Sequence, residues 1–363
     1  MWVLLLLVAI LWVFSFFLTQ FPGFVIYYSD HIYPSIQSGR HTVFGAVPFS
    51  IGDVLYIIGG IWLLVTLTRW VYFVRKFGAY KDRLAGSVLN VANTGLMVYL
   101  VFLLGWGANY SKEPLARSWG LKVEKSGGRK ALKAREIAAL GSFNKFLVDR
   151  LNQYAPQYSS LPYSHINDRA LVYYREFTTS KVKDRGLGIK GSLFGYFLQR
   201  MGIDGYYNPF TSEGQITKRI PVFMMPFTVC HEMAHQAGIA AEGDANLLAY
   251  AVATAADDPV FRYSAYLNIW LYTNNRLFRY DSAQAKHFSG QLNMLTIAHL
   301  DTLDQISQKY HGLFSSYTSD IFDSYLRLQQ QADGILTYGN VSREAWLWEQ
   351  KRIRSRNTPI QVP

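Results

Sequence analysis

Three apolar stretches before residue 110 restrict the fold more than any other feature of this chain. They cover residues 2–21, 51–68 and 88–108, and their only charged side chain is Asp53. A helix rises about 1.5 Å per residue, so each stretch is long enough to cross a hydrocarbon core about 30 Å thick. We therefore predict three membrane-spanning helices rather than three buried helices of a soluble protein.

The first stretch is predicted to stay in the mature chain. A cleaved signal peptide would have a basic region before the apolar run and a site of small residues after it, and neither is present. Trp62, Trp70 and Trp106 lie near the expected ends of the second and third helices, where aromatic side chains favour the membrane interface.

Basic residues between the stretches predict the orientation. The connector 22–50 has one arginine and one aspartate, whereas the connector 69–87 has one aspartate and five basic residues, Arg69, Arg75, Lys76, Lys81 and Arg83. Cytoplasmic connectors are usually the basic ones. We therefore expect a bacterial cytoplasmic (inner) membrane protein with its N-terminus inside and its C-terminal domain outside, although the basic residues that follow the third stretch favour the opposite arrangement.

Composition narrows the class of partner. Charged residues make up 17% of the chain, below the roughly 25% of soluble proteins, and the net charge is +11. The chain has no zinc-finger spacing, ribonucleoprotein motif or long basic run, so we predict a lipid bilayer and no nucleic acid as a partner. The single Cys230 excludes a disulfide within the chain and a metal site of several cysteines.

The chain divides into a membrane domain (1–109), a charged linker (110–130) and a mainly α-helical domain (131–363). Mixed aromatic and β-branched residues predict a small β hairpin within 205–221. Apolar periodicity predicts the helices of the last domain, 131–153, 168–178, 244–256, 259–278, 284–309, 316–332 and 342–352. Residues 257–259 and 339–340 are predicted breaks.

A His-Glu-x-x-His motif carries the main functional hypothesis. His231 and His235 are four residues apart, so a helix presents both imidazoles on one face, as two ligands of a tetrahedral zinc require. Pro226 suits the first turn of that helix and Gly238 suits its end. Glu232 is then placed to act as the general base of a zinc hydrolase. The structural alternative is a buried helix that carries two core histidines.

Two nearby carboxylates are candidates for a third ligand. The three-histidine pattern of metzincins would need histidine at 241, where the chain has Ala241. Glu242 is favoured over Asp244, and a solvated helix start is the alternative for both. Glu242 through Asn246 resembles the Glu-x-x-x-Asp segment of gluzincin peptidases, in which the glutamate binds zinc and the last residue orients a ligand histidine from behind. Here Asn246 replaces the aspartate.

Longer stretches resemble an uncharacterised family of bacterial membrane proteins, known as a domain of unknown function and grouped with zincin peptidases. They are "YYSDHIYPSI", "PFSIGDVLY", "LGWGANYSKEPL", "GYYNPFTSEG", "PFTVCHEMAHQAGIAAEGDANLLAY" and "DPVFRYSAYL". The resemblance implies membrane helices before a helical, zincin-like (gluzincin-like) domain. The sequence departs from the family at Gly243 and at Asp244, where glutamate is expected.

Four other residues are candidates for the substrate side of the site. Asn208 and Glu213 lie in the predicted hairpin and would face a substrate if it forms the edge of a cleft; a purely structural hairpin is the alternative. Arg262 and Tyr263 are candidates for an oxyanion donor, and an ordinary helix surface is their alternative explanation.

These observations predict a membrane-anchored, zinc-dependent metallopeptidase that hydrolyses envelope proteins or peptides. Zn²⁺ would be held by His231, His235 and Glu242, and Glu232 would be the catalytic base. The alternative is a non-enzymatic envelope protein with a structural or vestigial metal site, which binds a partner or a cell-wall polymer. A third alternative is another zinc hydrolase, such as an amidase.

Overall fold

The computed structural model describes residues 2–121, 129–177, 186–310 and 338–354. The chain separates into two compact units. The first consists of Met1–Lys112 together with Asn208–Glu213, and the second of Glu113–Tyr207 and Gly214–Pro363. The change of unit at residue 112 lies near the predicted end of the membrane domain at 109. Nothing in the sequence predicted that residues 208–213 group with the first unit.

The first unit is helical. Its helices are α1 Trp2–Gln20, α2 Pro22–Tyr27, α3 Tyr33–Phe44, α4 Ile51–Arg75 and α5 Phe77–Gly105, with a π-helical turn at Tyr28–Ile32 and a 3-10 turn at Gly107–Ser111. Val3–Gln20, α4 and α5 are long and apolar enough to cross a membrane. The prediction of three such helices is confirmed, and the helices suggest that the chain is anchored in a lipid bilayer.

The predicted connectors of this unit are themselves largely helical. Residues 22–44 form α2, the π-helical turn and α3, and the basic connector 69–87 is reduced to a break at Lys76 between α4 and α5. These two helices have 25 and 29 residues, so they are about 38 and 44 Å long and extend beyond a core of about 30 Å. The basic residues therefore lie on the extended ends of the two helices.

The second unit is mainly helical and has one small sheet. Its helices are α6 Leu115–Ser118, α7 Arg129–Tyr154, α8 Tyr163–Phe177, α9 Gly195–Met201, α10 Met225–Gln236, α11 Glu242–Ala255, α12 Pro259–Tyr280, α13 Ser282–Ser289, α14 Met294–Tyr310 and α15 Tyr338–Arg354. The strands are β1 Ile189–Gly191, β2 Gly205–Asn208 and β3 Glu213–Ile216, in the order β1-β3-β2. The first strand runs parallel to β3, with Ile189 opposite Gly214.

Several predicted elements of this unit need correction. The strands of the hairpin are present, but β1 was missed because three residues between glycines give little periodic signal. The predicted helix 284–309 is two helices, α13 and α14, and the predicted break at 339–340 lies inside α15. Helix α6 and the start of α7 fall within the predicted linker. The predicted helix 316–332 and residues 122–128 lie outside the described residues.

The core of the second unit is built around α10, α11 and α12, which pack against one another. Alanines and other small side chains allow α11 to approach its neighbours closely, and nearly all of it from Ala245 to Thr254 is buried. Tyr250 on α11 donates a hydrogen bond to the buried carboxylate of Glu349 on α15. This packing fixes α10 and the start of α11, which carry the motif residues.

Candidate metal centre

Local sequence explains where α10 begins and ends. Pro226 occupies its first turn, where a missing N–H is tolerated, and Gly238 follows its last turn with φ +85°, a conformation that favours glycine. The hydroxyl of Tyr174 on α8 donates a hydrogen bond to the carbonyl of Cys230. All of α10 except His231 is buried, and the predicted core position of Cys230 is confirmed.

His231, His235 and Glu242 form a group that could hold a metal ion. Their ligand atoms all lie within 4.8 Å of one another. The two Nε2 atoms are 3.2 Å apart, His231 Nε2 is 3.2 Å from Glu242 Oε2, and His235 Nε2 is 3.6 Å from Glu242 Oε1. Among the described residues, this is the group of His, Cys, Asp and Glu side chains whose ligand atoms lie close enough together to hold one metal ion.

A backbone contact favours one tautomer of the His235 ring. Its Nδ1 lies 2.7 Å from the carbonyl oxygen of Ile239, just beyond the Gly238 turn. A carbonyl only accepts, so Nδ1 carries the proton, and in the neutral ring Nε2 presents a lone pair to the group. The buried Nδ1 of His231 has no hydrogen-bond partner among the described residues.

Charge within the group shifts the pKa of its members. Burial disfavours the charged form of His235, but the Glu242 carboxylate, together with Glu232 and the Ile239 carbonyl, outweighs burial and raises the pKa of His235 to about 9. Burial also opposes ionisation of Glu242, yet His235 and the hydrogen bond with His231 hold the pKa of Glu242 well below its usual range. A metal cation that binds here must therefore displace a proton.

Glu232 lies beside the group in a confined environment. Its side chain is 3% exposed, and its Oε2 has no hydrogen-bond partner in the described part of the chain. Burial raises the pKa of Glu232 to about 8; His235 opposes the shift, and Glu242 and Asp204 add to it. A Cβ atom at Gly205 would lie 2.6 Å from Glu232 Oε1, so β2 approaches this carboxylate as only glycine permits.

A comparison with protein-family models identifies the family of this chain. The family model described as "Protein of unknown function (DUF3810)" matches residues 28–343. The chain belongs to this family. The matched range contains His231, His235 and Glu242, the candidate metal-binding group, together with α4 and α5 of the first unit. No curated protein and no solved structure matches the chain significantly.

Asp244 and Asn246 have different surroundings from Glu242. The carboxylate of Asp244 accepts a hydrogen bond from the backbone of Leu115, and its charge adds to the burial that raises the pKa of Glu344. Asp244 is not a member of the group that could hold a metal. Asn246 is 1% exposed, and its Nδ2 has no partner among the described residues. The resemblance implies that Asn246 orients a ligand histidine; at His235 the contact to Nδ1 comes from the Ile239 carbonyl.

The structure gives Asn208 and Glu213 structural contacts within the first unit. Oδ1 of Asn208 accepts hydrogen bonds from the N–H groups of Phe210 and Thr211. The carboxylate of Glu213 accepts from the N–H groups of Ile51 and Gly52 at the start of α4. These contacts differ from the substrate-side role predicted for both residues.

Arg262 and Tyr263 also make contacts with residues other than the metal-binding group. Arg262 forms an ion pair with Asp257, and its guanidinium lies over the ring of Tyr154. The hydroxyl of Tyr263 is hydrogen-bonded to Thr296 and His299. The helix surface that served as the alternative explanation accounts for Arg262, and a buried polar contact accounts for Tyr263.

Sequence reasoning missed residues that lie closer to the group. The ring centroid of Tyr207 is 6.4 Å from that of His235. Burial, with the charges of Asp204 and Glu242, raises the pKa of Tyr272 and keeps its phenol protonated. The stretch "GYYNPFTSEG" was predicted to contribute to the site, but through Asn208 and Glu213 rather than through Gly205 and Tyr207. Tyr272 carries no motif that could have singled it out.

Proposed function

We propose that this chain is a membrane-anchored zinc metallopeptidase. The observation that carries the proposal is the convergence of three ligand atoms beside a buried carboxylate whose Oε2 has no partner among the described residues. Atoms that lie about 2.0–2.2 Å from a tetrahedral zinc are roughly 3.3–3.6 Å from one another. The two histidine Nε2 atoms, 3.2 Å apart, fit that geometry, and the carboxylate of Glu242 presents Oε2 at 3.2 Å from His231 and Oε1 at 3.6 Å from His235.

The number of protein ligands favours a catalytic over a structural metal. Structural zinc sites usually have four protein ligands, whereas catalytic sites have three and leave a position for water or substrate. The described residues supply three, His231, His235 and Glu242. This count favours the peptidase over a non-enzymatic envelope protein with a structural metal. The same residues support a zincin-like, more specifically gluzincin-like, domain.

When bound, zinc supplies a Lewis acid for the attacking water and for the scissile carbonyl. Glu232 accepts a proton from that water and delivers it to the leaving amine. Its Oε2 has no hydrogen-bond partner among the described residues, so the carboxylate is available to accept that proton.

The unpaired nitrogen of His231 suggests a role for Asn246. Both His231 Nδ1 and Asn246 Nδ2 are buried without partners among the described residues, and they lie on the packed helices α10 and α11. The oxygen and nitrogen of an amide can be exchanged by rotating it. Rotation of Asn246 would offer Oδ1 to the Nδ1–H of His231 and fix the orientation of that ring.

Metal analysis of the purified full-length protein tests the ligand assignment. We expect about one zinc per chain and loss of zinc in the His235→Ala variant. Glu242→Ala should lose far more zinc than Asp244→Ala, because Asp244 contacts Leu115 instead. Full zinc occupancy in His235→Ala would refute the site, and a larger loss in Asp244→Ala would make Asp244 the ligand.

We further propose that the second unit lies outside the cytoplasmic membrane and acts on envelope proteins or peptides. The basic ends of α4 and α5 favour a cytoplasmic position for Lys76. A reporter that is active only after export should work when fused after residue 363 and should be silent when fused at residue 80. The opposite pattern would place the site in the cytoplasm and make cytosolic peptides its substrates.

A further inference from the structure

We propose that the exposed face around α9 is a second membrane-contact site, which binds the surface of an anionic lipid bilayer. The face, here called the α9 patch, consists of Leu193, Tyr196 and Phe197, which are 53%, 48% and 65% exposed. They are three of the eight large apolar side chains that are exposed in the described part of the second unit. Isolated exposed apolar residues are common, whereas a contiguous group marks an interaction surface.

The α9 patch is held in place by the rest of the second unit. Leu198 turns inward and is 6% exposed, so α9 is anchored by one side. The hydroxyl of Thr217 donates to the carbonyl of Gly195, and Gln199 Nε2 donates to the carbonyl of Arg219. The apolar side chains therefore remain exposed on a fixed helix, at a cost in solvation that a partner would relieve.

Cations surround the apolar centre of the patch. The guanidinium groups of Arg200 and Arg219 lie 4.8 and 5.5 Å from the ring centroid of Tyr196. Lys218, which precedes Arg219, is also exposed, and its ammonium lies 4.9 Å from the ring centroid of Tyr163. An apolar centre with basic side chains at its margin is typical of elements that lie in a membrane interface, where the cations meet anionic headgroups.

The apolar side chains and the positive charges of the α9 patch together favour a lipid bilayer as its partner. The aromatic and aliphatic side chains would enter the acyl boundary, and the cations Arg200, Lys218 and Arg219 would meet lipid phosphates. The same chain carries three helices that fit a bilayer, so this partner is available to every molecule. Gly202 and Asp204 connect α9 to β2, whose Gly205 touches Glu232; the patch thus also adjoins the strand beside the metal-binding group.

Spin labelling of the full-length protein in vesicles tests the proposal. The native Cys230 is fully buried, so the wild-type protein serves as the labelling background. The probe is a nitroxide on Phe197→Cys, and the matched control is Asp257→Cys, whose native side chain is fully exposed. In vesicles that contain phosphatidylglycerol, the label at 197 should collide with oxygen more often, and with a water-soluble nickel chelate several-fold less often, than the label at 257.

Charge removal separates lipid contact from other burial. In the double variant Lys218→Gln/Arg219→Gln, the equilibrium constant for contact between the α9 patch and the bilayer should fall by about 5-fold for each lost cation. The wild-type constant should also fall in vesicles of phosphatidylcholine alone, which have no anionic headgroups. Equal nickel accessibility at 197 and 257 in phosphatidylglycerol vesicles would overturn the proposal. A label at 197 shielded from both oxygen and nickel would also overturn it, since that result means burial against protein. Neither readout depends on zinc or on catalysis.

Discussion

Two buried glutamates show how similar burial leads to different roles. Glu213 at the start of β3 is 4% exposed, and Glu232 on α10 is 3% exposed. The carboxylate of Glu213 accepts hydrogen bonds from two N–H groups at the start of α4, with lengths of 3.2 and 2.7 Å, and from the hydroxyl of Thr211. Oε2 of Glu232 has no partner among the described residues.

The difference identifies which carboxylate is available for chemistry. Glu213 acts as a cap, because the first turn of a helix has N–H groups without intrahelical partners and favours a negative charge. Glu232 is buried beside two histidines and has a raised pKa. A buried polar atom without a partner is costly, and such a group is characteristic of a functional site. Hydrogen-bond partners, rather than burial, therefore distinguish the two glutamates.

The largest expected effect concerns catalysis. Glu232→Gln should retain zinc and reduce peptide hydrolysis by about 10²–10⁴-fold, because an amide of the same size cannot act as a base. Glu213→Gln is the matched control, since it makes the same chemical change at a similarly buried position. Cleavage of a peptide library, followed by mass spectrometry, measures both variants. Equal turnover in Glu232→Gln and the wild type would reject the role of Glu232.

A smaller effect is expected from the partner of His231. Asn246→Ala should weaken zinc binding by about 10–100-fold, as is usual when the group that orients a ligand histidine is lost. Asn246→Asp should restore zinc binding, because a carboxylate accepts from the same N–H. Competition with a chelator of known affinity measures both constants. Unchanged zinc affinity in Asn246→Ala would show that His231 is oriented by something else.

Loss of the cap should affect stability rather than chemistry. Glu213→Gln should lower the free energy of unfolding by ~1–3 kcal/mol, because the neutral amide is a weaker acceptor for the N–H groups of Ile51 and Gly52. The melting temperature in detergent should fall by several degrees. Zinc affinity should be unchanged. A shift in zinc affinity without a shift in melting temperature would contradict the comparison between the two glutamates.

The smallest expected effect concerns the pH dependence of stability and a third acid, the partly buried Glu344. Burial and the charge of Asp244 raise the pKa of Glu344 to about 7, although Arg343 opposes the shift. A raised pKa means that Glu344 stabilises the fold most below its unfolded pKa, and that this contribution is lost as the pH rises through 7. The melting temperature of Glu344→Gln should therefore equal that of the wild type near pH 4 and should be slightly higher than that of the wild type at pH 8.

Melting curves across this pH range provide the measurement, with Arg343→Gln as a control of opposite sign. Zinc affinity should be the same in Glu344→Gln and the wild type, because Asp244 is not a member of the metal-binding group. Altered zinc binding in this variant would connect Asp244 to the metal.

Much of the fold followed from local sequence features. Uninterrupted apolar runs predicted the three long helices, and the four-residue spacing predicted that His231 and His235 share one face of a helix. Other predictions failed where the local signal was weak. The strand β1 has only three residues, and the connectors of the first unit contain enough apolar residues to continue as helices.

The residues around the metal-binding group show the limit of local reasoning. Asn208 and Glu213 lie in the right stretch of sequence, yet they belong to the first unit, while Gly205 of the same hairpin touches Glu232. Arg262 and Tyr263 lie on the same helix as Tyr272, yet it is the pKa of Tyr272 that burial and the charges of Asp204 and Glu242 raise. The polar residues of the sequence pointed to the correct hairpin and the correct helix, but not to the residues in them that lie near the metal-binding group.

The sequence by itself determined the apolar helices and the paired histidines, because hydrophobicity and helical spacing act over a few neighbouring residues. The tertiary structure decided that Glu242 joins the histidines while Asp244 contacts Leu115, and that Glu213 caps a helix more than 160 residues earlier in the chain. Each of these choices depends on which donor lies opposite a carboxylate. For Asp244 and Glu213 that donor comes from a distant part of the chain, and for all three carboxylates it is fixed only when the helices pack.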